Sequence, residues 1–161
     1  TSSPAAERGT FLHDVAETLL RGDLLSEAVT QEDIEEVSEY VNYVQELQFR
    51  PEVNVTIEED VLLAPITGEP GATGAVDALV CSDEYLEVID LKTGRKIVEP
   101  TSSQLRMYAA AAVYELNYEG KEVKCTIHQG GKAYSVVYAT EDLLAFAQQV
   151  RRYVDTALHV Y

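Results

Sequence analysis

The chain has 161 residues, 46% of them hydrophobic and 25% charged, with a formal net charge of −16. That length carries one domain with a real core but not two, and no apolar run nears the roughly 20 residues of a membrane span, so no membrane partner is expected. The acid excess excludes a broad surface that coats nucleic acid, although a narrow basic groove needs only local charge.

Ser2, Ser3 and Pro4 open a first predicted helix, with Ser3 as N-cap and Pro4 at the first helical position; it runs to about Arg21 and stops at Gly22. Thr30 and Asp33 form a capping-box pattern starting a second helix that continues through about Gln48, and Pro51 ends it. Val53 to Glu58 alternates as a strand, expected to pair with Val61 to Ala64, and Pro65 to Gly71 reads as a turn-rich loop. Strands follow at Thr73 to Val80 and Tyr85 to Leu91, then a helix over about Thr101 to Tyr118 in which Ala109 to Ala112 permit close packing on the sheet. Glu122 to His128 and Ala133 to Ala139 flank Gly130-Gly131 as a hairpin, and Thr140 is expected to cap a last helix to about His159. This order predicts a single α/β (α+β) domain over residues 1–161, a mixed central β-sheet flanked by helices, without repeats.

Cys81 and Cys125 are too few for a cysteine-held zinc or iron–sulfur centre and read as buried thiols of a reducing compartment, so a cytoplasmic location is expected. There is no signal-peptide pattern, and the missing initiator Met is read as residues trimmed or absent ahead of Thr1.

The segment Gly74 to Lys92 carries the chemistry. Strand side chains alternate, so Asp90 and Lys92 share one face with Leu86 and Val88, while Leu91 turns to the other. A carboxylate and an ammonium beside apolar neighbours are costly unless paired or bound, and a divalent cation with a phosphate satisfies both. A surface ion pair is the bland reading of Asp-x-Lys, and Leu86 and Val88 on the same face count against it.

Four signatures occur in order: Gly9-Thr10-x-x-His13 with Glu17 one turn on, Asp77, Asp90-x-Lys92, and Gln104-x-x-x-Tyr108. Over roughly residues 3 to 118 this resembles the PD-(D/E)xK nuclease superfamily, specifically its RecB-like exonuclease branch with phage-encoded and CRISPR-adaptation-type members. Val76 replaces the proline of the superfamily name, and the iron–sulfur cysteines of some RecB-like members have no counterpart.

The resemblance implies a restriction-endonuclease-like core and a divalent-metal-dependent DNA exonuclease of phage or bacterial recombination, repair or genome processing, in the host cytoplasm if phage-encoded. Asp77 and Asp90 would be carboxylate ligands of Mg²⁺ or Mn²⁺, the Leu91 carbonyl a third oxygen and His13 a nitrogen ligand. Lys92 would hold the scissile phosphate and orient or deprotonate water, with Glu17 supporting His13 or reaching the metal through water. Gln104 and Tyr108, one helical turn apart, would face the DNA, and Arg95, Lys96 and Arg106 would lie close to phosphate. Taken singly, these residues have plainer readings: a packed histidine, a helix pair, loop charges. Gly9 argues for the ligand role of His13, because a glycine inside a helix costs about 1 kcal/mol and marks close approach. His128 and His159 are read as structural.

Two other outcomes are carried: a structure-specific endonuclease of the same fold, and an inactive nuclease-fold binding module that the high acidity would suit. A DNA-mimicking decoy follows from charge alone and explains none of the motifs. Because a strongly acidic monomer must still hold DNA, a ring-shaped homo-oligomer or a partner such as a single-strand annealing or other recombination protein is expected.

Overall fold

The computed structural model describes residues 3–159, the side chains of Leu158 and His159 excepted. The expectations for Ser2 and for the His159 side chain therefore fall outside the described residues.

Helix α1 (Pro4–Arg21) starts where the Ser3 hydroxyl accepts the Ala6 N–H at 3.1 Å and ends at left-handed Gly22. Helix α2 (Gln31–Gln48) opens on a reciprocal capping box, the Thr30 hydroxyl accepting from Asp33 N–H and the Asp33 carboxylate from Thr30 N–H. Arg8 of α1 pairs with the same Asp33 at 2.7 Å, tying the two helices together.

Strands β1 (Asn54–Leu62), β2 (Thr73–Cys81), β3 (Leu86–Lys92), β4 (Glu122–Gln129) and β5 (Lys132–Ala139) form one mixed sheet in the order β1-β2-β3-β4-β5. All neighbours run antiparallel except β3 and β4, whose parallel pairing needs a crossover. Helix α4 (Ser103–Leu116) makes it, lying on the sheet through buried Ala109, Ala110, Ala111 and Ala112. Gly130 and Gly131, both at positive φ, close the β4–β5 hairpin.

Helices α1 and α2 cover one face, burying Leu12, Val37 and Val44 against Ala78, Val80, Ile89 and Leu91. The other face packs Leu86, Val88, Cys125 and Ile127 under α4, the one-turn helix α3 (Ala64–Thr67) and α5 (Thr140–His159). The domain is thus an α+β fold with a mixed five-stranded sheet between two helical layers. Among the described residues no helix is long and apolar enough to cross a membrane.

The structure corrects several local expectations. Val53–Glu58 and Val61–Ala64 do not pair with each other; Asn54–Glu58 and Val61–Leu62 belong to the one strand β1, whose partner is β2. The 65–71 loop contains part of α3, because Ile66 is fully buried and anchors it. Helix α4 starts at Ser103, not Thr101, since it is the Ser102 hydroxyl that accepts the Leu105 N–H. Thr140 begins α5, but its hydroxyl donates to the Gly120 carbonyl at 2.7 Å instead of capping the helix. Cys125 is buried as expected, whereas Cys81 is only half-buried.

The β1–β2 pair carries one irregularity. Val55 and Ile57 pack toward α1 and α2, yet Val61, at the same strand parity, packs toward α4. The pleat of β2 reverses likewise between Val76 and Ala78. Between them the ladder skips one step, from Ile57–Ala78 to Glu59–Val76, where Glu58 sits at φ 54°. Glu58 thus stands opposite Asp77 at a break in the pleat.

Candidate active site

Strands β2 and β3 pair only from Cys81–Leu86 to Ala78–Ile89. Beyond that point the Asp77 side chain replaces the ladder, its Oδ2 accepting the Leu91 N–H at 2.6 Å. A backbone donor that would otherwise be stranded is satisfied, and the carboxylate is fixed against the end of β3.

His13 reaches the same place from α1. Its Nδ1 lies 2.8 Å from the Gly9 carbonyl oxygen, and its Nε2 lies 2.8 Å from the Leu91 carbonyl oxygen and 3.5 Å from Asp77 Oδ2. A carbonyl oxygen only accepts, so both ring nitrogens must carry hydrogen in the metal-free protein. The hydrogen bond to Asp77 accordingly raises the His13 pKa to about 9, against the opposing effect of burial. Gly9 is where α1 comes closest: a Cβ there would stand 2.9 Å from Thr93 Oγ1, the residue after Lys92.

Asp90 and Lys92 share a face as the alternation requires, with Lys92 Nζ 2.9 Å from Asp90 Oδ2 and both side chains less than one third exposed. Burial, then hydrogen bonding and repulsion from Asp77, push the Asp90 carboxyl up to about 7, with Lys92 opposing. Burial also acts to raise Asp77, but hydrogen bonds with His13 and Asp90 hold it below the ordinary carboxylate range. Burial acts to lower Lys92, yet Asp90 outweighs it and keeps the amine firmly cationic. The two acids therefore divide the work, Asp77 charged and Asp90 sharing a proton.

Other expected residues fall into place less fully. Glu17 does not bond His13, whose Nδ1 partner is the Gly9 carbonyl; Glu17 pairs with Arg21 at 2.9 Å, and Arg21 also donates to the Ile57 carbonyl beside the break. Glu17 still lines a cavity of about 440 Å³ with Gly9, His13 and Glu58. The Tyr108 ring packs on Gly74, where a Cβ would come within 2.3 Å of Cε1, and Tyr108 lies within electrostatic reach of Lys92. Gln104 is exposed one turn earlier. Arg95 and Lys96 are exposed on the loop after β3. Arg106 does not join the cluster: its guanidinium lies over the Phe146 ring of α5 at 4.3 Å, because a residue two on from Gln104 leaves the Gln104–Tyr108 face.

Glu58 escaped the sequence reading. Burial, then the charges of Asp77 and Glu17, raise its carboxyl pKa, which places it in the same acidic cluster. The only trace in the sequence was the acidic run Glu58-Glu59-Asp60 interrupting a strand.

Among the described residues, no three His, Cys, Asp or Glu side chains stand ready as they are to hold a metal ion. The donor set nevertheless fits a hard divalent ion. Neighbouring ligands on an octahedral ion bound at 2.0–2.1 Å lie roughly 3 Å apart, and the Nε2–O separations here are 2.8 and 3.5 Å. A proton on Nε2 now joins groups that a cation would join. His13, Asp77, Asp90 and the Leu91 carbonyl are the residues that would hold it.

A five-stranded mixed sheet with helices on both faces and a His–Asp–Asp–Lys cluster at its parting strands defines the class of domain. The family model described as "Protein of unknown function (DUF2800)" matches residues 1–158, and the chain belongs to that family. A solved structure titled "Crystal structure of SSO0001" is similar over 92% of this chain and 60% of that one, at 13% identity and a TM-score of 0.39. The present chain thus spans less than two thirds of that chain's length.

Proposed function

We propose that this chain is a Mg²⁺- or Mn²⁺-dependent deoxyribonuclease with a restriction-endonuclease-like core of the RecB-like type, working as an exonuclease. The observation that carries this is the meeting of His13 Nε2, the Leu91 carbonyl and Asp77 within 3.5 Å, next to the Asp90–Lys92 pair.

When bound, the divalent ion supplies charge neutralisation at the scissile phosphate and a water acidic enough to attack near neutral pH. Asp77 is pre-set for a cation because it is already ionised and pinned by Leu91 N–H. Asp90, paired with Lys92 at 2.9 Å, would be a ligand only in its ionised form, and its engagement there would leave the ammonium to face the phosphate. Lys92 would then act as a positive point charge, because an ammonium released from Asp90 stays protonated near neutral pH. Tyr108, packed on Gly74, and exposed Gln104 would meet the DNA from the α4 side. At net charge −16 the chain needs help to hold DNA, from a ring of copies or a basic recombination partner.

The test is nucleotide release from end-labelled duplex DNA with Mg²⁺ or Mn²⁺. Asp90→Ala and Lys92→Ala are each expected to lower the rate by about 10²–10³-fold, the scale of losing one charge-stabilising group; unchanged rates overturn the assignment. Covalently closed circles should survive, and their cutting would favour the endonuclease of the same fold.

A further inference from the structure

A second cavity, of about 730 Å³, opens beside the cluster and shares Leu91 and Lys92 with it. It lies among α2, the loop 93–99 and the tip of the β4–β5 hairpin. Its size falls in the roughly 300–1,000 Å³ range of small-molecule sites. The loop wall is fixed: Gln129 Nε2 donates to the Gly94 and Lys96 carbonyls, both at 2.8 Å, and Gln129 Oε1 accepts the Val98 N–H at 3.0 Å.

His128 lines this cavity and is 1% exposed. Its Nδ1 lies 2.8 and 3.0 Å from the two Glu39 carboxylate oxygens, which only accept, so Nδ1 carries a hydrogen. The rings of Tyr40 and Tyr43 meet it edge-on, centroids 5.4 and 4.6 Å away. Its Nε2 is buried without a hydrogen-bond partner among the described residues. A packed histidine with one nitrogen fixed by a carboxylate and the other without a partner is costly, and a hydrogen-bonding group of a ligand or an ordered water at Nε2 would relieve that cost.

The rest of the lining narrows the ligand. Arg95 and Lys132 supply positive charge, neither forming an ion pair among the described residues, whereas the Lys92 ammonium at the cavity's edge is paired with Asp90. Ile97 and Tyr134 present apolar surface, 78% and 46% exposed. Glu35, Glu36 and Glu99 add acceptors, Glu36 being paired with Arg8. A bare anion suits such mixed charge poorly. A nucleotide suits it well: phosphate for the cations, a flat base for Ile97 and Tyr134, amino hydrogens for Nε2 and the acids.

We propose that this cavity is a nucleotide pocket, holding the nucleotide next to the phosphate at Lys92 with its base edge at His128 Nε2. The pocket rests on the nuclease reading for its place in the reaction, but not for its ability to bind.

The experiment is calorimetric titration of the whole chain, in EDTA, with dAMP, dCMP and dTMP, inorganic phosphate serving as control. Saturable binding of a deoxynucleoside monophosphate is expected, with phosphate at least tenfold weaker, and a tenfold or greater loss in both His128→Phe and surface Ile97→Asp. No saturation at millimolar nucleotide, phosphate binding as tightly, or wild-type affinity in Ile97→Asp each overturn it. Because no metal or hydrolysis is involved, the result stands apart from the Asp90→Ala assay: nucleotide binding without nuclease activity would sink only the nuclease reading, and activity without nucleotide binding only the pocket.

Discussion

His13 Nε2 lies 2.8 Å from the carbonyl oxygen of Leu91, a residue 78 positions further along the chain. An imidazole held against an acceptor-only oxygen with a carboxylate 3.5 Å away carries a proton on Nε2 that both oxygens share.

At the proposed metal site, metal and proton would compete. Asp77 raises His13 to about 9, and burial with Asp77 raises Asp90 to about 7, so each would have to lose its proton for the ion to bind. Mn²⁺ affinity is expected to rise by about tenfold or more per pH unit between pH 6 and 9, one proton released per tenfold. Calorimetry in buffers of different ionisation enthalpy counts those protons directly. An affinity flat across that range would remove His13 and Asp90 from the ligand set.

Stability of the metal-free protein should run the opposite way. For His13 the folded pKa of about 9 exceeds the ordinary 6.5, so its contribution is full below 6.5 and lost as pH rises through 9. For Asp90 the folded value of about 7 exceeds 3.8, so its contribution is full below 3.8 and lost as pH rises through 7. The melting temperature in EDTA is thus expected to fall steadily from pH 5 to pH 9, and Mn²⁺ at pH 8 to restore it. Asp90→Asn should remove the lower part of that fall; a melting temperature that rises with pH would contradict both assignments.

Gly74 has no room for a methyl group, since a Cβ would stand 2.3 Å from Cε1 and 2.7 Å from Cζ of Tyr108. A ring packed against the core cannot simply swing aside, so Gly74→Ala is expected to cost about 1–3 kcal/mol in urea unfolding. It should also slow DNA hydrolysis, because Tyr108 is displaced beside Lys92. A fully stable Gly74→Ala protein would mean that the Tyr108 ring is free to move.

Glu58 holds a left-handed conformation that costs a non-glycine residue about 1–2 kcal/mol. Glu58→Gly relieves that strain and the repulsion from Asp77 and Glu17, and is expected to stabilise the metal-free protein by about 1 kcal/mol, glycine's own entropy taking back part of the gain. Hydrolysis is expected to fall about tenfold, equivalent to about 1.4 kcal/mol of transition-state stabilisation. Higher stability with an unaltered rate would leave Glu58 as a bulge residue and nothing more.

The sequence by itself determined the local structure and the pieces of the cluster. Caps at Ser3 and Thr30, the glycine stop at Gly22, the Gly130-Gly131 hairpin and the shared face of Asp90 and Lys92 depend on interactions a few residues apart, which spacing exposes. Gly9 announced a close approach without naming the neighbour, which is Thr93.

Only the tertiary structure decided how the pieces meet. The pairing of β1 with β2, the break that sets Glu58 opposite Asp77, the bond from Leu91 N–H to Asp77 and the turning of Arg106 onto Phe146 are contacts between distant segments. Strand alternation carries no information about where a pleat reverses, because the reversal is imposed by packing on both faces at once. His128 gives the same lesson: in the sequence it is one strand residue among others, and only the folded chain leaves its Nε2 buried without a partner among the described residues, in the wall of a cavity that Lys92 also lines. Short-range order follows from the covalent chain, whereas burial, partnering and charge coupling exist only once remote residues share the same few ångströms.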